Sequence, residues 1–151
     1  MSAKFDRAAF QRVIENDNYE TREKYRELGR DPIMTPVYNI GLPLSRELAL
    51  ERLQRVASLR ATSVTDFGSN PRNIFSTHEM LGYIDPSLTT KFTVQFNLYG
   101  GSLFMLGTER HAHMIPKVDD LSGIGCFCLT ELGYGNNAVE MEPTAHYEHA
   151  T

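Results

Sequence analysis

The fold is decided by residues 85–107, which read DPSLTTKFTVQFNLYGGSLFMLG. Asp85 followed by Pro86 is a strong helix start, because aspartate can accept hydrogen bonds from the free amides of the first turn and proline suits that turn. From Ser87 to Leu106 the side chains are apolar almost all round, which predicts a long helix buried on every side. Gly100 and Gly101 each lower helix stability by about 1 kcal/mol relative to alanine. We therefore expect another helix or a ligand to pass close to the backbone there, and we favour helix packing.

The sequence before this segment is predicted to be helical as well. Residues 1–30 indicate one or two charged helices, and prolines and glycines make residues 31–43 irregular. Residues 45–61 form the clearest amphipathic helix, and Asn70-Pro71 starts another that should run to about Tyr83. The charged residues of the amphipathic helix are placed mostly on its solvated face: Arg46, Glu47, Glu51, Arg52 and Arg55.

The character of the sequence changes after a short helix that Thr108 should cap and Pro116 should help to end. Residues 123–130 alternate with both faces mostly apolar, which predicts a buried strand, and residues 138–149 favour one or two more. We predict a mainly α fold, with an N-terminal α-helical domain at 1–121. The start of a β domain, incomplete at the end of the chain, is expected at 122–151.

Composition and spacing exclude several classes of function. The chain has 151 residues, 41% hydrophobic and 23% charged, and a net charge of −4, which is ordinary for a globular domain and gives no reason to expect nucleic acid as a partner. No apolar run approaches the roughly 20 residues that span a bilayer.

Cys126 and Cys128 are too close for an easy disulfide and are read as free thiols. His111 and His113 point to different sides of a helix, so no metal site is predicted.

The residues with chemical potential lie in the segment 125–137, GCFCLTELGYGNN, which we call the glycine-loop segment. The end of a strand offers backbone groups to the edge of a flat heterocycle, and the Thr130 hydroxyl can donate to a ring nitrogen. Gly133 and Gly135 lack Cβ atoms, so their backbone can approach a phosphorylated ligand. The pattern G-x-G-x-x-A at 133–138 also fits a dinucleotide-binding loop, but that loop must open a helix and residues 138–143 are a poor helix start.

The glycine-loop segment resembles the flavin-contacting signature of the acyl-CoA oxidase and acyl-CoA dehydrogenase superfamily. That signature is an aromatic residue, two small or apolar residues, Thr-Glu, and then a glycine loop with a polar end. The resemblance extends upstream over 85–88, 95–101 and 106–110 and covers about residues 70–147. Dehydrogenases usually have proline after Thr-Glu, whereas this chain has Leu132, which is more similar to the oxidases. Asn136 departs from the serine or threonine common in the family.

The resemblance implies FAD as cofactor and six residues that bind it, namely Phe127, Leu129, Thr130, Gly133, Gly135 and Asn136. Thr130 would hydrogen-bond the flavin near N5, and the Leu129 backbone would meet its pyrimidine side. Phe127 would pack near the acyl and flavin pocket, and Gly135 and Asn136 would lie beside the pyrophosphate or the CoA.

The activity implied is oxidation of an acyl-CoA to the 2,3-enoyl-CoA with oxygen as acceptor, by an enzyme that forms a homodimer or higher oligomer. The family's catalytic glutamate would lie beyond Thr151, so no catalytic residue is expected in this chain and the chain alone should be inactive. Glu131 is not at the position of the base. The alternatives are a dehydrogenase linked to electron-transfer flavoprotein and a helical interaction module without chemistry. Oxidase likeness implies a peroxisome or related microbody, with mitochondrial or cytoplasmic location as alternatives.

Overall fold

The computed structural model describes residues 5–149, and most of this part of the chain is helical. The α-helices are α1 (Arg7–Glu15), α2 (Tyr19–Leu28), α3 (Leu42–Ser58), α4 (Asp66–Ser69), α5 (Pro71–Ile84), α6 (Pro86–Phe92), α7 (Gly101–Leu106) and α8 (Ile115–Asp119). Short 3-10 helices lie at Pro32–Met34, Glu109–Met114 and Ala138–Glu140. The mainly α prediction is thereby confirmed for the helical part. Every helix in this range falls short of the length and apolar character needed to cross a membrane.

The predicted long central helix is present, and its middle is π-helical. Helix α6 continues into a π-helical segment, Thr93–Gly100, which continues into α7 without a break. At its end the Gly101 amide reaches the Phe96 carbonyl five residues back, the spacing of a π-helix. Phe92 and Phe96 are almost fully buried and their rings stack with centroids 4.4 Å apart. The apolar pattern predicted burial correctly for Leu88, Phe92 and Phe96, but not at the end of the helix, where Met105 and Leu106 are exposed. It also could not distinguish the π from the α spacing.

Gly100 lets the central helix pack against its neighbours at close range. A Cβ atom built there would lie 2.7 Å from Val64 Cγ2 and 2.9 Å from Val118 Cγ1, and both of those side chains are completely buried. A Cβ atom built on Gly101 would lie 3.3 Å from Cε2 of the Phe67 ring. The glycine pair therefore serves packing of the protein against itself, which is the interpretation that the sequence favoured.

Arg52 was predicted to lie on the solvated face of α3. In the structure it is buried. Its guanidinium forms an ion pair with Asp85 at 2.7 Å and donates to the carbonyls of Ile33 and Thr35 at 2.8 and 2.7 Å. Asp85 uses its other carboxylate oxygen to accept from the Ser87 amide, 2.8 Å away, at the start of α6. The prediction was wrong because the groups that pair with Arg52 are distant in sequence. They stabilise a buried guanidinium at a position where periodicity alone indicates an exposed charge.

Two predicted helix ends also differ from the structure. Pro116 lies in the first turn of α8 and does not end the preceding helix, because proline suits a first turn where its missing N–H is not needed. Asn70 precedes α5 as predicted, but its side chain donates to Asn18 Oδ1 and does not cap the helix. Thr108 does cap the Glu109–Met114 helix, in a reciprocal arrangement with His111.

The predicted β structure is not confirmed by the part of the chain that the structure describes. Residues 124–130 lie outside regular secondary structure, and Ile124, Cys126, Phe127 and Cys128 are exposed where a buried strand was expected. A strand needs a neighbouring edge for its backbone groups, and no strand is present among residues 5–149 to offer one. The division into domains at residue 121 stays a prediction.

Replacing Arg52 with methionine should destabilise the fold by about 3–5 kcal/mol, because the Asp85 carboxylate would remain buried without its partner. Urea denaturation measures this loss. Adding Asp85→Asn to Arg52→Met should recover part of it, since asparagine keeps a capping oxygen and removes the unpaired charge. If Arg52→Met alone changed the free energy of unfolding by less than about 1 kcal/mol, which is the range of exposed ion pairs, the assigned role would be contradicted.

Gly100→Ala should lower the free energy of unfolding by about 1–3 kcal/mol, because the added methyl group meets Val64 and Val118. Gly82→Ala is the matched control, since Gly82 lies in α5 with nothing within 4 Å of its Cβ position. There the usual preference of a helix for alanine should raise stability by about 0.5–1 kcal/mol. Equal effects of the two substitutions, measured by thermal or urea unfolding, would argue against close packing at Gly100.

Candidate functional site

The glycine-loop segment begins where the chain leaves α8 and turns back over the central helix. Gln95, in the π-helical segment, holds this turn with its carboxamide. Its Nε2 donates to the Gly123 carbonyl at 2.9 Å and to the Val118 carbonyl at 3.3 Å, and its Oε1 accepts from the Gly125 amide at 3.2 Å. Because Gln95 is only 3% exposed, these bonds are sheltered from water and fix the first residues of the segment.

A second contact of the central helix meets the same residues. The Tyr99 ring lies against Gly125 so closely that a Cβ atom on Gly125 would overlap it. A Cβ atom on Gly123 would lie 2.9 Å from Lys117 Cβ. Both glycines are therefore required by close approach, and the start of the segment is packed against the helical body through its backbone.

Beyond Gly125 the segment extends away from the helices into solvent. Phe127 is 41% exposed and Leu129 is half-buried, while Thr130, Gly133 and Asn136 are exposed. Gly135 is exposed as well and has a left-handed φ of 60°, a conformation that glycine adopts at little cost. The structure thus brings the six predicted residues together on one continuous, accessible stretch, but it buries none of them in a closed pocket.

The loop at 131–135 is closed by a pair of backbone hydrogen bonds. Glu131 and Gly135 exchange amide–carbonyl bonds of 2.8 Å in each direction, forming an isolated antiparallel bridge. The Glu131 carboxylate accepts from the Glu142 amide at 3.2 Å, and the Tyr134 hydroxyl donates to Glu142 Oε1 at 2.9 Å. Glu131 is thus engaged in holding the loop, in keeping with its exclusion as a base. Only a single 3-10 turn follows, so the loop does not open the helix that a dinucleotide-binding pattern requires.

Several donors of the segment are left free by this arrangement. Among the described residues, no protein hydrogen bond involves the Thr130 hydroxyl, the Asn136 side chain, or the amides of Leu129, Thr130 and Gly133. A Cβ atom on Gly133 would have nothing within 4 Å, so a ligand can approach the backbone at that point. Hydroxyl and amide donors in this order can bind the edge of a planar heterocycle and a phosphate group. The residues present therefore fit one side of a flavin nucleotide site.

An apolar groove of about 270 Å³ lies beside the start of the segment. Leu50 and Leu53 of α3, Val94 of the π-helical segment, and Ile124 line it, and Lys91 is the one cationic side chain among its lining residues. Neither the sequence pattern nor the resemblance pointed to this groove, because its lining comes from three separate parts of the chain.

Two residues of the site, Gln95 and Tyr99, were not predicted from the sequence. The signal for Gln95 was present, since a glutamine inside a helix that is apolar almost all round must find polar partners once buried. Tyr99 gave no such signal, because an aromatic residue in a buried helix usually reads as core. No cluster of three or more histidine, cysteine or acidic side chains able to hold a metal occurs in residues 5–149.

Comparison with known proteins identifies the family. No protein-family model and no solved structure match the chain. Among curated proteins it is 33% identical over 129 residues to a human protein named peroxisomal acyl-coenzyme A oxidase 3, covering 84% of this chain and 18% of that protein. It is 33% identical over 123 residues to acyl-coenzyme A oxidase 2, peroxisomal, of Arabidopsis thaliana, covering 79% of this chain and 17% of that protein. It is 29% identical over 142 residues to acyl-coenzyme A oxidase 2 of Yarrowia lipolytica, covering 91% and 19%.

The chain spans about a fifth of the length of the curated relatives it matches, so the comparison concerns one part of such a protein. Within that part, the identity extends over most of the chain and recurs in animal, plant and fungal relatives that share the same name. The chain matches part of an acyl-coenzyme A oxidase and belongs to that family.

Proposed function

We propose that this chain forms one wall of the FAD and acyl-CoA site of an enzyme that oxidises an acyl-CoA to the 2,3-enoyl-CoA, with oxygen as the acceptor and hydrogen peroxide as the second product. The observation that carries the proposal is the set of free donors at Leu129, Thr130, Gly133 and Asn136. It occurs in the segment whose sequence resembles the flavin-contacting signature. The names of the relatives favour the oxidase over an electron-transfer-flavoprotein-linked dehydrogenase.

The roles proposed for the residues are those that the family resemblance implies, and the groups they expose are compatible with these roles. The Thr130 hydroxyl would donate to the flavin ring near N5, and the Leu129 backbone would meet the pyrimidine side. Phe127, 41% exposed, would cover the ring and the reacting acyl carbons and exclude water from them. Gly133, Gly135 and Asn136 would accommodate the pyrophosphate or the CoA. When bound, FAD supplies the redox chemistry, which amino-acid side chains cannot provide.

In this proposal the chain contributes binding and orientation. The Glu131 carboxylate is held by the Glu142 amide, which suits a structural role. The apolar groove lined by Leu50, Leu53 and Val94 suits an acyl chain, which would enter beside the glycine-loop segment. We further propose, from the names of the human and plant relatives, that the protein acts in peroxisomes, and from the family resemblance that it is a homodimer or larger assembly.

The role of Thr130 can be tested in a chimaera in which this chain, including residues 125–137, replaces the matching segment of the human peroxisomal acyl-coenzyme A oxidase 3. The chimaera should bind FAD, and Thr130→Val should weaken that binding by about tenfold, as the loss of one hydrogen bond predicts. Flavin fluorescence titration gives the dissociation constants. Thr144→Val is the matched control, because Thr144 is an exposed threonine outside the segment. Equal affinities of the two variants would rule out the flavin contact.

Peroxide release separates the oxidase from the alternatives. The 151-residue chain alone, given FAD, acyl-CoA and oxygen, should release no peroxide, because in this proposal it forms only one wall of the site. The chimaera should release peroxide with oxygen as sole acceptor. A chimaera that turns over only with electron-transfer flavoprotein would favour the dehydrogenase, and one that folds without binding FAD would favour a module without chemistry.

A further inference from the structure

We propose that Gln95 is the positioning residue of the flavin-facing wall, because its buried carboxamide sets where the glycine-loop segment leaves the helical body. This inference rests on the proposed function and deepens it. It concerns a residue remote from the six that would touch FAD, acting through the backbone of residues 123–125.

The hydrogen bonds of Gln95 account for both N–H donors of its side chain. Nε2 has two N–H groups, and they go to the carbonyls of Gly123 and Val118. Oε1 accepts from the Gly125 amide. The Gly123 carbonyl and the Gly125 amide flank Ile124 and face the same side, so one carboxamide pairs both of them as a neighbouring strand would. The side chain thereby pairs the Gly125 amide, which has no other hydrogen-bond partner among the described residues.

Tyr99 further restricts the position of the segment that Gln95 holds. It lies one helical turn after Gln95, and its ring packs against Gly125, so the segment is held by hydrogen bonds on one side and by contact on the other. A shift of the segment along the helix would lose the hydrogen bonds. A rotation about them would drive Gly125 into the ring. Together with the Gly123 amide, which donates to the Lys117 carbonyl at 2.9 Å, the two contacts restrict the orientation of the chain as it departs.

Distance makes this orientation important for Thr130. Thr130 is five residues beyond Gly125, a reach of up to about 17 Å for extended chain. Over that reach, an angular error of about 10° at Gly125 displaces the hydroxyl by about 3 Å, as much as the whole length of a hydrogen bond. A site built at the end of such a segment therefore requires a firm anchor at its start.

The test uses Gln95→Met in the 151-residue chain, because methionine keeps the packing volume and removes all three hydrogen bonds. By NMR, the Gly125 amide should exchange at least about fivefold faster relative to the Val64 amide, which is bonded to Asp119 in the core. The upfield shift that the Tyr99 ring imposes on the Gly125 α protons should shrink. Asn97→Leu is the control, since Asn97 lies in the same π-helical segment but contacts His78 and not the glycine-loop segment. It should leave both readouts unchanged.

Gln95→Glu is the second variant, in case methionine prevents folding. It keeps the shape and the acceptor for Gly125, but it sets an oxygen against the carbonyls of Gly123 and Val118. It should give the same loosening of Gly125. Unchanged exchange and unchanged proton shifts in whichever variant folds would overturn the proposal.

A titration of FAD into the chimaera carrying the same substitutions separates this inference from the proposed function. Loosened Gly125 with an FAD dissociation constant raised at least about fivefold supports positioning. Loosened Gly125 with an unchanged dissociation constant overturns the positioning role and leaves the proposed function intact. If the chimaera with the wild-type segment binds no FAD, the flavin role of this chain falls, and with it the flavin part of the inference. The exchange data then decide separately whether Gln95 anchors the segment.

Discussion

The ion pair between Arg52 and Asp85 is the constraint on which the rest of the structure depends. A charge buried to this extent is tolerated only when it is paired and its remaining hydrogen-bonding groups are satisfied, and the Arg52 guanidinium meets Asp85 and two carbonyls of the irregular segment after α2. Asp85 in turn caps α6. The pair therefore joins α3, the connecting segment and the first turn of the central helix. Gln95 lies ten residues further along that helix. Its side chain bonds the backbone of Gly123 and Gly125, so the position of the helix also determines where the glycine-loop segment begins.

The sequence predicted those parts of the fold whose causes are local. Asp85-Pro86 marks a helix start through capping and proline geometry, and this start is found. The apolar run marks burial, which is found in the first half of the helix but not at Met105 and Leu106. Arg52 was misplaced because helical periodicity assigns a charge to the solvated face unless a partner is known, and Asp85 is distant in sequence. The π-helical geometry was not predicted either. It changes which carbonyl each amide bonds within the helix, and the apolar pattern of the side chains does not report this.

The candidate site divides in the same way. The resemblance predicted the glycine-loop segment and its six residues, because the series of motifs is ordered and specific, and their role stays a prediction. It could not identify Gln95 or the apolar groove, since these arise from the contact of three elements that are separated along the chain. The strand expected at 123–130 was inferred from alternation, which describes the two faces of a chain but not the edge that must pair with it. In the structure one carboxamide takes the place of that edge, and only over the first residues.

The contrast between the two regions suggests how the site forms. The helical body has a core that includes Phe92, Phe96 and Val118, and its buried Arg52 is paired with Asp85. The glycine-loop segment leaves Phe127 and Leu132 exposed and most of its donors free. Apolar side chains that extend from a well-packed body mark a surface made for contact with something else. The curated relatives that the chain matches are about five times as long. Whatever covers the segment would meet it in the direction that the Gln95 hydrogen bonds to Gly123 and Gly125 give it, where it leaves the helical body.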